Sequence, residues 1–366
     1  MKKILIILIM CLGLTNKAVA SSLTDMNSLR PWDKAEKKLC ELLPELQILE
    51  DRFPNNVEIQ LGLATLYDRY SLSENVTTKV GEQWKKVLKI DPNNRPALAR
   101  SVIKAIMFNT ARHRAIIEQL EGQIEIARKK GSQQLIIPRK RSYMQTVIEK
   151  DDSLTIVPPH EYESELFPYL SKRNEEIVVI NDFDAAIGQL KEQLDKELSG
   201  VFGIVNQAEK IDHDNALYNY LKAHLYFTLG QNESGLGEIR KATQKKYLNT
   251  YFTETRHAVS IVLKTVNFPD NLRCHIEDVY SPFGDFIRRE ICKNGLEPLS
   301  RKYEEQGDNE NVIEISELML KIAKQISEEP LPYPSFINPK LSQGLEKWAQ
   351  ERKNEISQKI KNKEEK

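Results

Sequence analysis

The chain has 366 residues, 40% hydrophobic and 29% charged, a globular balance that excludes collagen-like, mucin-like and wholly disordered classes. Lys plus Arg equals Asp plus Glu, 53 against 53, so no nucleic-acid partner that depends on bulk positive charge is expected. With 15 Gly and 16 Pro the chain is also poor in the residues that a loop-rich all-β protein needs.

The first element is a leader. Met1-Lys2-Lys3 is a positive start, Ile4–Leu14 is apolar and uncharged, and Ala18-Val19-Ala20 precedes Ser21-Ser22. This is the order of a secretory signal with an A-x-A cleavage site, and cleavage is expected after Ala20. The apolar run spans about 16 Å as a helix, too short for a hydrocarbon core of ~30 Å. The short Lys-Lys start looks bacterial, so the expected compartment is periplasmic or extracellular. No other stretch is apolar enough to cross a membrane, so no transmembrane segment is expected in the mature chain.

Three places then carry one phrase: Asp51-Arg52-Phe53-Pro54-Asn55-Asn56, Lys89-Ile90-Asp91-Pro92-Asn93-Asn94 and Lys210-Ile211-Asp212-His213-Asp214-Asn215. The first leads into Ala64 and Tyr67, the third into Ala223 and Tyr226 at the same spacing. From Ala223 the chain continues through Tyr226, Gly230, Gly235, Ile239 and Ala242; Ser300, Tyr303, Gly307, Val312, Ser316 and Met319 repeat that spacing. These segments resemble tetratricopeptide repeats, helix–turn–helix units of about 34 residues. The resemblance implies an all-α fold, an α-α superhelix in which each helical hairpin covers its neighbour's apolar face. In such a unit a glycine at the turn takes the left-handed conformation that ends the first helix.

Further helices are expected at Ala97–Phe108 and Ala111–Lys130, as a separate pair, and the Asp182–Lys245 tract should supply four. Thr253–Val266, Phe283–Cys292, Glu297–Glu305 and Asn311–Ser327 follow. Residues 131–181 break the rhythm with the β-branched runs Leu135–Pro138, Leu154–Pro159 and Ile177–Ile180, an extended or β-containing insert. Beyond a Pro-rich strap, Leu341, Leu345, Trp348 and Ala349 predict a capping helix, and the Lys/Glu-rich sequence from Glu351 a frayed helix or a disordered tail. The expected order is therefore a leader (1–20), an N-terminal array (21–130), the insert as a spacer (131–181), a C-terminal array (182–327), and strap, cap and tail (328–366).

No GxSxG, GxxxxGK[ST], HExxH or GxGxxG motif is present, so no catalytic residue, cofactor or metal is expected. Cys274 and Cys292 are the nearer pair for a disulfide in an exported chain, against the alternative that Cys40, Cys274 and Cys292 are all small buried hydrophobes. By the resemblance, the inner face of the superhelix is the binding surface. It carries Thr65, Asp68 and Arg69 in one unit, Tyr220, His224 and Phe227 in another, and Arg301, Glu304 and Glu305 in the last. This mixed-charge, partly aromatic lining suits an extended peptide or a partner's helix. The expected function is an exported scaffold that binds a partner protein or peptide in the cell envelope. The alternative is an envelope enzyme, acting on carbohydrate or lipid, with His160, Tyr162, Glu163 and Asp182 of the insert at its active site.

Overall fold

The computed structural model describes residues 30–70, 76–138, 155–156, 166–170, 177–277, 283–330 and 337–364. The fold is all-α with one small sheet. Helices α1 (Pro31–Glu41), α2 (Leu43–Arg52), α3 (Val57–Tyr70) and α4 (Val76–Ile90) lead into a long helix α5 (Arg95–Lys129). Strands β1 (Leu135–Pro138), β2 (Thr155–Ile156) and β3 (Ile177–Ile180), with the short helix α6 (Phe167–Leu170), precede a second long helix α7 (Phe183–Ile211). Then come α8 (Leu217–Thr228), α9 (Asn232–Ala242), α10 (Phe252–Thr265), α11 (Asp270–Glu277) and α12 (Phe283–Phe286). A π-helical stretch (Ile287–Leu296) runs on into α13 (Glu297–Glu305), followed by α14 (Asn309–Glu328) and α15 (Ile337–Glu364).

The repeated phrase has a physical role at each occurrence: its last asparagine starts the next helix. Asn56 Oδ1 accepts the Ile59 amide at 3.0 Å, Asn94 Oδ1 the Ala97 amide at 3.1 Å, and Asn215 Oδ1 the Leu217 amide at 3.1 Å. Each satisfies a backbone donor that the first helical turn leaves without an intrahelical acceptor. The turn glycines behave as expected. Gly230 and Gly307 have φ of +72° and +75°, and the amides beyond them, Gln231 and Asp308, donate back to the carbonyls of Tyr226 and Tyr303 at 2.8 and 2.9 Å. This wrapped ending closes α8 and α13 and reverses the chain into α9 and α14.

Two helical expectations are corrected. Ala97–Phe108 and Ala111–Lys130 are one helix, α5, because no glycine or proline interrupts Phe108–Ala111 and the buried stripe continues through Ile106, Thr110 and His113. Thr110 is accommodated in mid-helix by donating its hydroxyl to the Ile106 carbonyl at 2.8 Å. The Asp182–Lys245 tract likewise forms three helices, α7 to α9, rather than four. Gly188, Gly200 and Gly203 lie on the solvent side of α7, while Leu190, Leu194, Leu198, Val201 and Val205 keep one face buried. Of the two alternatives for the tail from Glu351 the helix is the one observed: α15 stays helical to Glu364, and Ile356 is fully buried rather than frayed out.

The three strands form one sheet in the order β2-β1-β3, with β1–β3 antiparallel in the register Leu135 to Ile180 and β1–β2 parallel. The antiparallel pairing of α5 with α7 carries this sheet at its far end, and Ile116, Leu120, Ile124, Leu135, Ile137, Leu190 and Leu194 share a core there. Elsewhere, packing order departs from chain order. Val259, Val262 and Leu263 of α10 and Ile276 of α11 are buried with Leu39, Leu63, Leu66 and Trp84 of the N-terminal helices. The largest core joins α5, α7, α8 and α9 to the segment from α12 to α15.

The α3–α10 crossing is closest at Gly62. A Cβ there would lie 2.3 Å from the Ala258 carbonyl oxygen and 2.7 Å from a Val262 methyl. Gly62→Ala should therefore destabilise the protein by about 1–3 kcal/mol, since a backbone carbonyl cannot step aside. Gly122 of α5 has open space around its Cα. Gly122→Ala should stabilise by about 0.5–1 kcal/mol through helix propensity alone. Urea unfolding midpoints compare the two, and equal shifts would show that the α3–α10 contact is not tight.

Candidate functional site

A concavity lies between α13 and α15. Both helices pack on α14, which holds them side by side and leaves a cavity of about 330 Å³ between them. One wall is Glu297, Ser300, Arg301 and Glu304, the other Trp348, Glu351, Arg352 and Glu355. Each set has the i, i+3, i+4, i+7 spacing that places four side chains on a single helical face. The walls are tied at one end, where Glu304 takes ion pairs from Arg352 and, at 2.6 Å, from Lys359. The hydrogen bonds from Lys359 and Arg352 hold the Glu304 carboxyl below its usual range. Arg352 also reaches Glu355 at 3.1 Å. At the other end pairing is loose: Arg301 stands 3.9 Å from Glu297 and Lys347 stands 3.9 Å from Glu351.

The residues expected on one inner face are distributed otherwise. Arg301 and Glu304 line this groove, and Glu305 is exposed on the same helix. Thr65 is buried in α3 and donates its hydroxyl to the Leu61 carbonyl at 2.8 Å. Asp68 pairs with Lys104 of α5 at 2.5 Å; the Arg69 side chain lies outside the described residues. Tyr220 is fully buried, its hydroxyl bonded to Gln325 Oε1 at 2.5 Å. Phe227 is half-buried between two glycines: a Cβ on either Gly235 or Gly295 would come within 2.5 Å of its ring.

His224 is buried against α5, with Nε2 3.1 Å from Thr110 Oγ1 and its ring edge-on to Phe286. Burial pulls its pKa down to about 4, with Arg114 adding to the effect and Glu290 opposing it. Thr65, Tyr220 and His224 thus fill the interior in this structure and do not present a surface to a partner. Helices α5 and α14 lie over the side of α8 on which Tyr220 and His224 stand.

Of the two readings of the cysteines, the disulfide does not form. Cys274 and Cys292 are free thiols, Cys274 exposed on α11 and Cys292 fully buried in the π-helical stretch, where desolvation pushes its thiol up. Cys40 is free and exposed as well, so burial holds for Cys292 alone. His160, Tyr162 and Glu163 lie outside the described residues. Asp182 caps α7, accepting the Ala185 amide at 2.9 Å. Among the described residues no group of three or more His, Cys, Asp or Glu side chains is arranged to hold a metal.

A buried carboxylate that the residue pattern did not single out organises the centre. Asp212, 1% exposed, accepts hydrogen bonds from Tyr247 at 2.8 Å, Tyr251 at 2.6 Å and Asn215 at 2.9 Å, with Arg95 at 3.7 Å. Tyr251 has a left-handed backbone, φ 58°, which is costly for a bulky residue; its phenol on Asp212 and its amide on Asn249 Oδ1 hold it there. With both oxygens engaged by Tyr247, Tyr251 and Asn215, Asp212 anchors the 247–251 loop. Searches against protein-family models, curated proteins and solved structures find no match to this chain.

The buried histidine makes stability depend on pH. His224 stays neutral in the folded protein to about pH 4, whereas in the unfolded chain it takes up a proton near pH 6.5. Between these values the unfolded state binds more protons, so stability falls as pH falls. His224→Gln, neutral throughout and able to donate to Thr110, should flatten the loss between pH 6.5 and 5 by about 1 kcal/mol per pH unit. Urea midpoints across that window measure it, and parallel slopes in the two proteins would refute the assignment.

Proposed function

We propose that this chain is an exported helical scaffold that binds a partner protein or peptide in the cell envelope, and that the partner lies along the α13–α15 groove. The observation that carries the reading is the groove itself. Two parallel rows of charged side chains face each other across a gap, each on a rigid helix, and Arg301 extends from one rim with 74% of its side chain exposed. Such a surface suits a peptide or helix whose charges alternate, and it offers no nucleophile–base pair for turnover.

Membership of the tetratricopeptide type belongs to the same proposal. Its support is the repeated phrase that starts α3, α5 and α8, together with the left-handed turn glycines that end α8 and α13. Export rests on the leader pattern of residues 1–20, and no helix among the described residues is long and apolar enough to cross a membrane.

A photo-crosslinking residue at position 301, used in intact cells, should yield a discrete adduct with a partner. The same residue at Lys130, exposed at the sheet end of α5, should not. Absence of an adduct at 301, or the same adducts at both positions, would remove the groove from the reading.

A further inference from the structure

We infer that the α13–α15 groove is a receptor for a basic side chain, an arginine or lysine presented by the bound peptide. This rests on the reading of the groove as a docking surface and adds the chemistry of what it holds. The lining carries Glu297, Glu304, Glu351 and Glu355 against Arg301 and Arg352. Arg352 is consumed by Glu304 on the opposite wall and by Glu355 on its own, and the other oxygen of Glu304 by Lys359.

Glu297 on α13 and Glu351 on α15 are different. Their partners stand at 3.9 Å, beyond hydrogen-bond reach, and those partners, Arg301 and Lys347, are 74% and 77% exposed. Exposed pairs of this kind contribute little and are readily exchanged for a better-placed cation. The two carboxylates stand on opposite walls, with the half-buried indole of Trp348 in the same lining. An aromatic face beside carboxylates attracts a guanidinium or ammonium group.

The second observation is independent of charge. Ser300 lines the cavity, is 1% exposed, and its hydroxyl has no hydrogen-bond partner among the described residues. A buried hydroxyl left in that state is unfavourable, and an N–H donor brought to it supplies the missing partner. A guanidinium supplies five N–H donors in one plane, enough for both carboxylates and the hydroxyl. The cavity of about 330 Å³ admits one long side chain. An acidic side chain entering it would face four glutamates against two arginines, one of which, Arg352, is already paired with Glu304 and Glu355.

The test uses the three tryptophans, Trp32, Trp84 and Trp348, whose indole N–H signals are resolved by ¹⁵N NMR of the full chain, with Trp348→Phe to assign the third. N-acetyl-arginine amide should shift the Trp348 signal saturably, leaving buried Trp84 still as a reporter of the intact fold. N-acetyl-citrulline amide, the neutral isostere, and N-acetyl-glutamate amide should bind at least tenfold more weakly. Glu297→Gln combined with Glu351→Gln should weaken arginine binding at least tenfold, and Ser300→Ala several-fold. Equal binding of citrulline, preference for the glutamate amide, or an unchanged response in the double variant would each overturn the inference. A crosslinked partner at position 301 with no arginine response would sink this chemistry while leaving the docking surface in place.

Discussion

One stripe of side chains on α5 feeds every core of the molecule. Ala97 is buried with the N-terminal helices, Ala99, Val102 and Ile106 with α7, α8 and α9, and Ile116, Leu120, Ile124 and Ala127 with the sheet. A helix of this length reaches about 50 Å, further than any one small core extends, so three cores are strung along it. The crossing at Gly62 completes the arrangement by returning α10 to the N-terminal helices, so that two distant parts of the chain share one interior. Burial of apolar surface drives each docking, and the absence of a side chain at Gly62 lets two backbones approach closely enough to achieve it.

Polar groups decide where these helices end and how they are joined. Asparagine side chains cap α3 and α5 and, from just before its cap, hold the first amide of α8, while left-handed glycines end α8 and α13, each satisfying backbone groups that a helix terminus leaves open. In the interior, Asp212 gathers two phenols and an amide, and Lys222 pairs with Glu209 while Glu238 accepts from Asn219 at 2.7 Å. These groups are buried with partners, which is the condition under which charge is tolerated away from water. The α13–α15 groove stands apart. Its carboxylates are only partly matched and its serine is unmatched, which is why chemistry is placed there and not at Asp212.

Much of the fold was legible because it rests on local rules. The spacing from Ala223 to Ala242 encodes a helical hairpin, the phrase ending in Asn94 encodes a cap, and the β-branched runs at 135–138 and 177–180 encode strands. The misreadings have one cause. The pair Ala97–Phe108 and Ala111–Lys130 and the four helices of Asp182–Lys245 each carry one division too many; the helices continue because their buried faces are uninterrupted, and packing outweighs a local preference of at most about 1 kcal/mol per residue, as at Gly188, Gly200 and Gly203. The composition of the Lys/Glu-rich tail leaves a frayed helix and disorder open; Ile356, which supplies a buried contact, and Arg352 and Lys359, which reach Glu304 across the groove, decide for an ordered helix.

The sequence by itself determined the helical hairpins and their caps and turns, since each depends on residues within a turn or two of one another. Tertiary structure decided the rest. Whether Tyr220 and His224 face a partner or an interior depends on α5 and α14, which lie far away in the chain and cover them. Whether Glu297 and Ser300 line a surface or a cavity depends on α15 standing beside α13 without filling the gap. A periodic pattern states which side of a helix is apolar; only the placement of distant helices settles which of its polar residues are left with water.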